Sequence, residues 1–228
     1  MKDYIHKEFP KTCASDDFMG QVKRTIAGKP IPQEQIDMIT SSIRNNLKLN
    51  TNDILLDLCC GNGALSEIFH REIKAYLGVD FSEYLIEVAK KNFEKLPNFS
   101  FILSDAFEYV KNETQPERFT KCLCYGAFQY LPHNNATEIL KYLCNNFINI
   151  ESVYIGNLPD KNRAESFFYK DIDYKNILND NNSAIGIWRS VSEMEELANI
   201  SGWKAEIINM PASFYSSHYR YDVKLTRK

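Results

Sequence analysis

Short apolar runs alternate with longer amphipathic stretches along the chain from about residue 53 onward. The apolar runs predict buried strands over residues 54–58, 75–80, 99–103, 121–125 and 152–156. The stretches between them have helical periodicity and predict helices over residues 64–71, 83–95, 106–111 and 136–149. Such alternation is typical of a parallel sheet with helices on both faces.

The remaining segments complete the expected architecture. Proline residues precede a predicted helix over 33–47, and residues 157–189 form a polar stretch that has the character of an insertion. Ser192 and Glu195 have capping-box spacing at the start of a helix over 192–200. Two last strands, 203–209 and 219–226, form an antiparallel edge pair. We therefore expect one α/β domain over residues 1–228: a Rossmann-like, doubly wound sheet of seven strands, mostly parallel, with N-terminal helices within residues 1–50.

Composition narrows the class of protein. The 228 residues are 44% hydrophobic, enough for a sizeable core. Lys and Arg total 27 against 30 Asp and Glu, a net charge of -3, which disfavours nucleic acid as a partner. No run reaches the roughly 18 apolar residues of a membrane span, and no secretory signal precedes the domain, so we expect a cytoplasmic protein with no membrane partner. The six cysteines are expected to be reduced and to bind no metal.

The segment after the first predicted strand carries most of the chemical information. Asp57 ends that strand, and Gly61 and Gly63 lie in the turn that follows. Three interpretations stand beside one another: a purely structural turn, a dinucleotide site, and a site for a nucleoside without a pyrophosphate. A dinucleotide site would have a third glycine at the position of Ser66.

Acidic residues favour the third interpretation, a site for a nucleoside without a pyrophosphate. Asp80 ends the second strand, where it can accept hydrogen bonds from both ribose hydroxyls, and Asp105 follows the third, where it can accept from the amino group of adenine. Asp57 would repel a pyrophosphate and attract an ammonium group. A ligand with ribose, adenine and a cationic end fits S-adenosylmethionine.

Five sequence segments resemble those of class I S-adenosylmethionine-dependent methyltransferases, over about residues 52–226. They are DLCCGNGALS, GVDFSEYLIEVAKKN, SDAFEYV, YGAFQYLP and SVSEMEELANISGW. The family pattern D-x-G-x-G-x-G has Cys59 at its first glycine here, which leaves the shape of the turn open. The resemblance implies a reaction that yields S-adenosylhomocysteine. The cofactor-binding residues that it implies are Asp57, Gly61 and Gly63 at the methionine part, Asp80 with Phe81 at the ribose, Asp105 with Ala106 at the adenine, and Tyr125 at the sulfonium.

Two further segments, FMGQVKRTIAGKPIPQEQ and SSHYRYDVKL, are similar to a bacterial subgroup of small-molecule methyltransferases associated with surface-polysaccharide gene clusters. This resemblance implies a small acceptor: a sugar, a nucleotide sugar or a related phosphorylated precursor.

Catalytic and acceptor-binding residues are expected on loops at the carboxyl ends of the strands. His218 and His133 are the candidate bases, although each is equally well explained as a surface or capping histidine. Arginine forks and aromatic rings suit a polar acceptor, whereas a solvated loop anchored by one tryptophan is the alternative for residues 157–189. The candidate acceptor-binding residues are Arg24, Asp160, Arg163, Trp188, Tyr219 and Arg220.

The functions that remain are from different classes. The first is an enzyme that methylates a small polar metabolite, in our interpretation at oxygen. A methyltransferase of RNA, DNA or protein is the second, and YGAFQYLP lacks the Asn/Asp-Pro-Pro-aromatic signature of amino-group methylation on bases. A protein that binds S-adenosylmethionine without turnover is the third, and a dinucleotide oxidoreductase the fourth.

Overall fold

The structure is a computed structural model that describes residues 4–168 and 173–228. A helical turn at Tyr4–Glu8 leads into two short helices, α1 (Phe9–Thr12) and α2 (Phe18–Gln21). A two-stranded hairpin follows, formed by β1 (Thr25–Ile26) and β2 (Lys29–Pro30). Helix α3 (Gln33–Leu47) begins directly after Pro32 and buries Ile36, Ile39 and Ile43, a spacing that places them on one face.

Seven strands form the main sheet, and strands β3 to β7 are parallel. Strand β9 is antiparallel to both of its neighbours, and the spatial order is β5-β4-β3-β6-β7-β9-β8. The strands are β3 (Ile54–Leu58), β4 (Ala75–Asp80), β5 (Phe99–Leu103), β6 (Lys121–Tyr125), β7 (Ser152–Pro159), β8 (Trp203–Asn209) and β9 (Arg220–Arg227). This topology confirms the expected fold class. Because the chain order reverses between β3 and β6, a crevice opens at their carboxyl ends.

Helices cover both faces of the sheet. Besides α3, these helices are α4 (Glu83–Phe93), α5 (Ala106–Asn112), α6 (His133–Asn145) and α7 (Val191–Ile200). Alternate strand residues point to opposite faces, so that Leu56 and Cys122 share a core with α5, α6 and α7. Leu55 and Leu123 share the other core with α3 and α4.

Several helix boundaries differ from the expectations: α4 ends at Phe93 rather than residue 95, α5 ends at Asn112 rather than residue 111, and three further helices differ as follows. The helix expected over 64–71 is only a 3-10 turn, Ser66–Phe69, because the N–H groups there donate three residues back. Helix α6 starts at His133 rather than residue 136. The capping box of α7 uses Ser190 and Glu193 instead of Ser192 and Glu195; the same spacing occurs in both registers, and the earlier one lets the helix begin at Val191.

An aromatic cluster packs within the described part of the insertion expected over residues 157–189. The first residues of the insertion extend β7, and Trp188 packs with Ala164, Leu178 and Tyr219. Residues 169–172 of this stretch lie outside the described residues. Among the helices of the described ranges, none is long and apolar enough to cross a membrane.

Candidate active site

The glycine loop leaves β3 at its carboxyl end and turns sharply toward Ser66. Gly61 and Gly63 have φ of 60° and 76°, in the left-handed region that favours glycine. A Cβ on Gly63 would lie 2.6 Å from the ring of Phe101, so a larger residue does not fit. Cys59, at the first glycine of the family pattern, adopts φ of 60° itself, so the turn forms despite that departure, at a cost of roughly 1–2 kcal/mol.

Asp80 connects the glycine loop to the end of β4. Its Oδ2 accepts a hydrogen bond from Gly61 N–H at 2.9 Å, and its Oδ1 accepts one from Ser82 N–H at 2.9 Å. Burial raises the pKa of the Asp80 carboxyl, and these backbone donors oppose that shift. A carboxylate has about four acceptor positions, so about two remain for a ligand.

Asp57 is buried beneath the same loop. Its Oδ2 accepts hydrogen bonds from the hydroxyls of Ser66 and of Tyr76, the latter at 2.9 Å. Burial raises the pKa of Asp57 to about 7, against the opposing effects of those hydroxyls and of Arg24. The carboxyl therefore changes its charge near neutral pH.

Asp105 differs from the other two acids because it is exposed and caps a helix. Its Oδ1 accepts from the N–H groups of Phe107 and Glu108, the first two after Ala106 at the start of α5, at 2.8 and 3.3 Å. The Oδ2 atom is left for a ligand.

All three acids line one cavity of about 390 Å³ at the carboxyl ends of the strands. The lining also includes two arginines that lie beside tyrosine rings. Arg24 lies with its guanidinium 5.5 Å from the ring centroid of Tyr125, and burial lowers its pKa. Arg220 lies 4.9 Å from the ring of Tyr219. The cavity thus holds acids from the strand ends together with two arginines from other segments, and one of these, Arg24, acts electrostatically on Asp57.

Most of the predicted site residues meet in this cavity. Those that line it are Asp57, Gly61, Asp80, Phe81, Asp105, Ala106, Tyr125, Arg24, Tyr219 and Arg220. Gly63 does not line it; it packs against Phe101 and shapes the turn instead.

The two candidate bases do not lie in the cavity. His133 is the exposed first residue of α6. His218 is also exposed, with its ring 4.8 Å from that of Tyr219. The turn that directs Tyr219 and Arg220 inward leaves His218 on the outside.

Three candidate acceptor residues have structural positions outside the cavity. Asp160 is buried, caps the turn Lys161–Ser166 and pairs with Arg163 at 2.8 Å. Arg163 also donates to the carbonyls of Ser217 and Arg220, at 2.9 Å each. Trp188 is buried in the aromatic cluster. These contacts support Arg220 without reaching the site.

Several lining residues were missed by the sequence interpretation. They are His6, Gln129, Tyr130, Asn157, Ala184, Ile185 and Tyr215. The ring of His6 lies 4.5 Å from that of Tyr130 and 5.9 Å from that of Phe81. Gln129 and Tyr130 lie within the segment YGAFQYLP, but nothing in it marked them as lining residues, and the others come from segments far apart in the chain. In the described parts of the chain, no group of three or more metal-ligating side chains is placed to hold a metal ion.

The fold and the glycine loop can now be compared with those of known proteins. Residues 55–146 match a family model described as a methyltransferase domain. The S-adenosylmethionine-dependent methyltransferase of Clostridium acetobutylicum has the same fold, with a TM-score of 0.63 at 14% identity, covering 90% of this chain and 95% of that one. The chain therefore has the fold of that methyltransferase, and its residues 55–146 match a methyltransferase domain, in line with the resemblance.

Two curated relatives show how widely the acceptors of similar proteins differ. The 23S rRNA (uracil(1939)-C(5))-methyltransferase RlmD of Marinomonas sp. is 32% identical over 108 residues, which cover 43% of this chain and 24% of that protein. The malonyl-[acyl-carrier protein] O-methyltransferase of Halalkalibacterium halodurans is 25% identical over 146 residues, 62% and 51% of the two chains. The chain spans about half or less of the length of its curated relatives. With an rRNA methyltransferase among them, the expected exclusion of nucleic acid is not supported.

Proposed function

We propose that this protein binds S-adenosylmethionine and transfers its methyl group to oxygen on a small polar acceptor, a sugar, nucleotide sugar or related phosphorylated precursor, with residues 1–228 acting as one domain. The observation that carries the proposal is the meeting of Asp57, Asp80 and Asp105 in one cavity beside the glycine loop. When bound, S-adenosylmethionine supplies an electrophilic methyl group on a sulfonium.

The residues present fit this cofactor. A methionine end carries both an ammonium and a carboxylate, and the cavity offers Asp57 and Arg24, whose charges stabilise one another. Asp80 keeps acceptor positions for ribose hydroxyls, and Asp105 keeps Oδ2 for an amino group. We therefore assign Arg24 to the carboxylate of the cofactor rather than to the acceptor.

The enclosure of the cavity favours a small acceptor. Ile5 and His6 line it from the N-terminal segment, and Ala184 and Ile185 line it from the stretch after β7. An acceptor held between these segments has few orientations, and in-line positioning of reactants contributes about 7–11 kcal/mol. His6, the histidine in the cavity, replaces His133 and His218 as the candidate that removes the acceptor's proton.

RNA is the second candidate acceptor, favoured by the rRNA methyltransferases among the relatives. A base would have to be turned out of its stack to enter the cavity. The net charge of -3 gives no electrostatic support for binding a phosphate backbone.

Calorimetric titration tests cofactor binding. S-Adenosylhomocysteine should bind with micromolar or better affinity and NAD should not. Arg24→Met should weaken S-adenosylhomocysteine binding at least tenfold, because a hydrogen-bonded charge pair is lost. Lys29→Met, in the exposed strand β2, is the matched control and should leave affinity unchanged. Preference for NAD would refute the proposal.

Transfer of radiolabelled methyl from S-adenosylmethionine then tests the acceptor. A cell extract is divided into a small-molecule fraction and an RNA fraction, and each is incubated with the protein. Label that enters only the small-molecule fraction supports the proposal. Label that enters only RNA would establish the second candidate instead.

A further inference from the structure

Arg220 is a buried cation that faces the cavity without a carboxylate partner. It is the first residue of β9, its side chain is 6% exposed, and it lines the cavity. Its Nη1 donates to the carbonyl of Asn157. No carboxylate of the described residues lies within 4 Å of its guanidinium, and Nε and Nη2 donate to no described side chain or carbonyl. An arginine has five N–H donors, so most of those on Arg220 remain available to a ligand.

Arg189, the other buried arginine of the described residues, donates to the carbonyls of Phe128 and Leu131, and two part-buried arginines also have several donors occupied. Arg163 pairs with Asp160 and donates to two carbonyls. Arg227 donates to the carbonyls of Ile150, Cys144 and Phe147. Burying a charge without such partners is costly, so the open donors of Arg220 indicate a site built for a partner that is not part of the chain.

The backbone around Arg220 is fixed by contacts that give it one position. Asn157 has φ of 65° and lies at a register shift between β7 and β9. Its N–H donates to Asp222 at 2.7 Å, and Asp222 also accepts from Tyr154 at 2.5 Å. Asp222, the acid nearest in sequence, accepts these two hydrogen bonds; Arg220 acts on it only through space and opposes the rise that burial causes in the pKa of Asp222. The carbonyl of Arg220 accepts from Arg163 Nη2 at 2.9 Å.

Tyrosine hydroxyls complete this end of the cavity. Tyr130 and Tyr215 line it, and Arg220 acts electrostatically on both. Burial raises the pKa of each tyrosine, so both stay protonated at neutral pH. Tyr130 donates its proton to the carbonyl of Ala184 at 2.8 Å, so Tyr215 supplies the hydroxyl donor toward a ligand. A guanidinium beside a hydroxyl donor suits an oxyanion.

We propose that Arg220, with Tyr215, binds an anionic group on the methyl acceptor, a carboxylate or a phosphate. This inference rests on the proposed function, since it assigns the acceptor half of the same cavity. Arg24 and Arg220 both act electrostatically on Tyr215, so the carboxylate of the cofactor, assigned to Arg24, and the anion assigned to Arg220 lie at neighbouring positions. The acceptor is then a small molecule with both a hydroxyl to be methylated and a negative charge.

Calorimetry on the complex with S-adenosylhomocysteine tests this assignment. Inorganic phosphate and acetate are titrated separately at constant ionic strength, which tells the two anion types apart. We expect one of them to bind at one site, and Arg220→Met to weaken that binding at least tenfold. Arg118→Met removes an arginine that pairs with Glu113 outside the cavity, and should change nothing.

The possible outcomes distinguish failure of this inference from failure of the proposed function. Equal anion affinity in wild type and Arg220→Met, or no binding of either anion to the saturated complex, would overturn this inference alone. Failure of the wild type to bind S-adenosylhomocysteine would overturn the proposed function and this inference with it. If Arg220→Met does not fold, Arg220→Lys is measured instead. The lysine keeps one donor for the carbonyl of Asn157 but lacks the paired N–H groups of a guanidinium, so anion binding should still weaken at least threefold.

Discussion

Replacement of Asp80 by Asn separates the binding role of this carboxylate from its structural role. Each of its oxygens accepts one backbone N–H, from Gly61 and from Ser82. The amide that replaces it keeps one acceptor oxygen, so it can hold one of these two groups and loses the acceptor positions facing the cavity. Hydrogen bonds to a charged acceptor contribute about 1.5–3 kcal/mol each. We therefore expect affinity for S-adenosylhomocysteine to fall about 10- to 150-fold.

Asp53→Asn is the matched control for this prediction. Asp53 is buried at the opposite end of the sheet, just before β3, and accepts from Asn50 at 2.9 and 2.8 Å and from Thr120 at 2.8 Å. Both variants should lose some thermal stability, because each leaves a buried donor without its charged acceptor. Only Asp80→Asn should lose affinity.

Isothermal titration with S-adenosylhomocysteine, together with a thermal melt of each variant, measures both effects. Affinity of Asp80→Asn within twofold of the wild type would refute the assignment of the ribose site. Equal loss of affinity in Asp53→Asn would show that the effect is one of stability.

Three further predictions concern charge and packing. Because Asp57 has a pKa of about 7 and must be ionised to attract an ammonium, affinity for S-adenosylhomocysteine should fall by up to tenfold per unit as pH drops from 7 to 5, and calorimetry of Asp57→Asn should show no such dependence. Gly63→Ala should cost more unfolding free energy than Gly28→Ala: both have positive φ, but only Gly63 meets a ring, and equal costs in urea titrations would contradict this. His70 is buried with both ring nitrogens unpartnered, and burial lowers its pKa to about 4, so the unfolded state binds more protons between about pH 4 and 6.5 and stability should fall as pH drops through that window. His70→Phe should be more stable and lose this dependence in denaturation at pH 7.5 and 5; an unchanged slope would refute it.

Strand positions were predictable because burial leaves a local signal. The first four strands of the main sheet have the predicted bounds, and helix α3 agrees at both ends. Boundaries were wrong where two registers satisfy the same local rule, as at Ser190 and Ser192, or where hydrogen bonding three residues back shortens a helix, as at Ser66. Local patterns do not contain the packing that decides such cases.

The residues of the candidate site divide in the same way, into those that a local pattern predicts and those whose positions depend on packing. Acids at the ends of parallel strands must converge at one edge, so the topology alone brings Asp57, Asp80 and Asp105 together. The positions of Arg24, His6 and Tyr215 depend on segments that pack across the strand ends, and no periodicity marks them.

The acidic residues of the cavity and the residues around Arg220 differ in how freely they can be substituted. The acidic residues are tied to the sheet: Asp80 holds the glycine loop, and Asp57 holds Ser66 and Tyr76, so changing either affects the fold. Arg220 rests on Tyr219 and the aromatic cluster beside it, outside the parallel strands. A change of acceptor therefore requires substitutions around Arg220 and Tyr219, and the cofactor site, which includes Arg24, can stay intact while they accumulate.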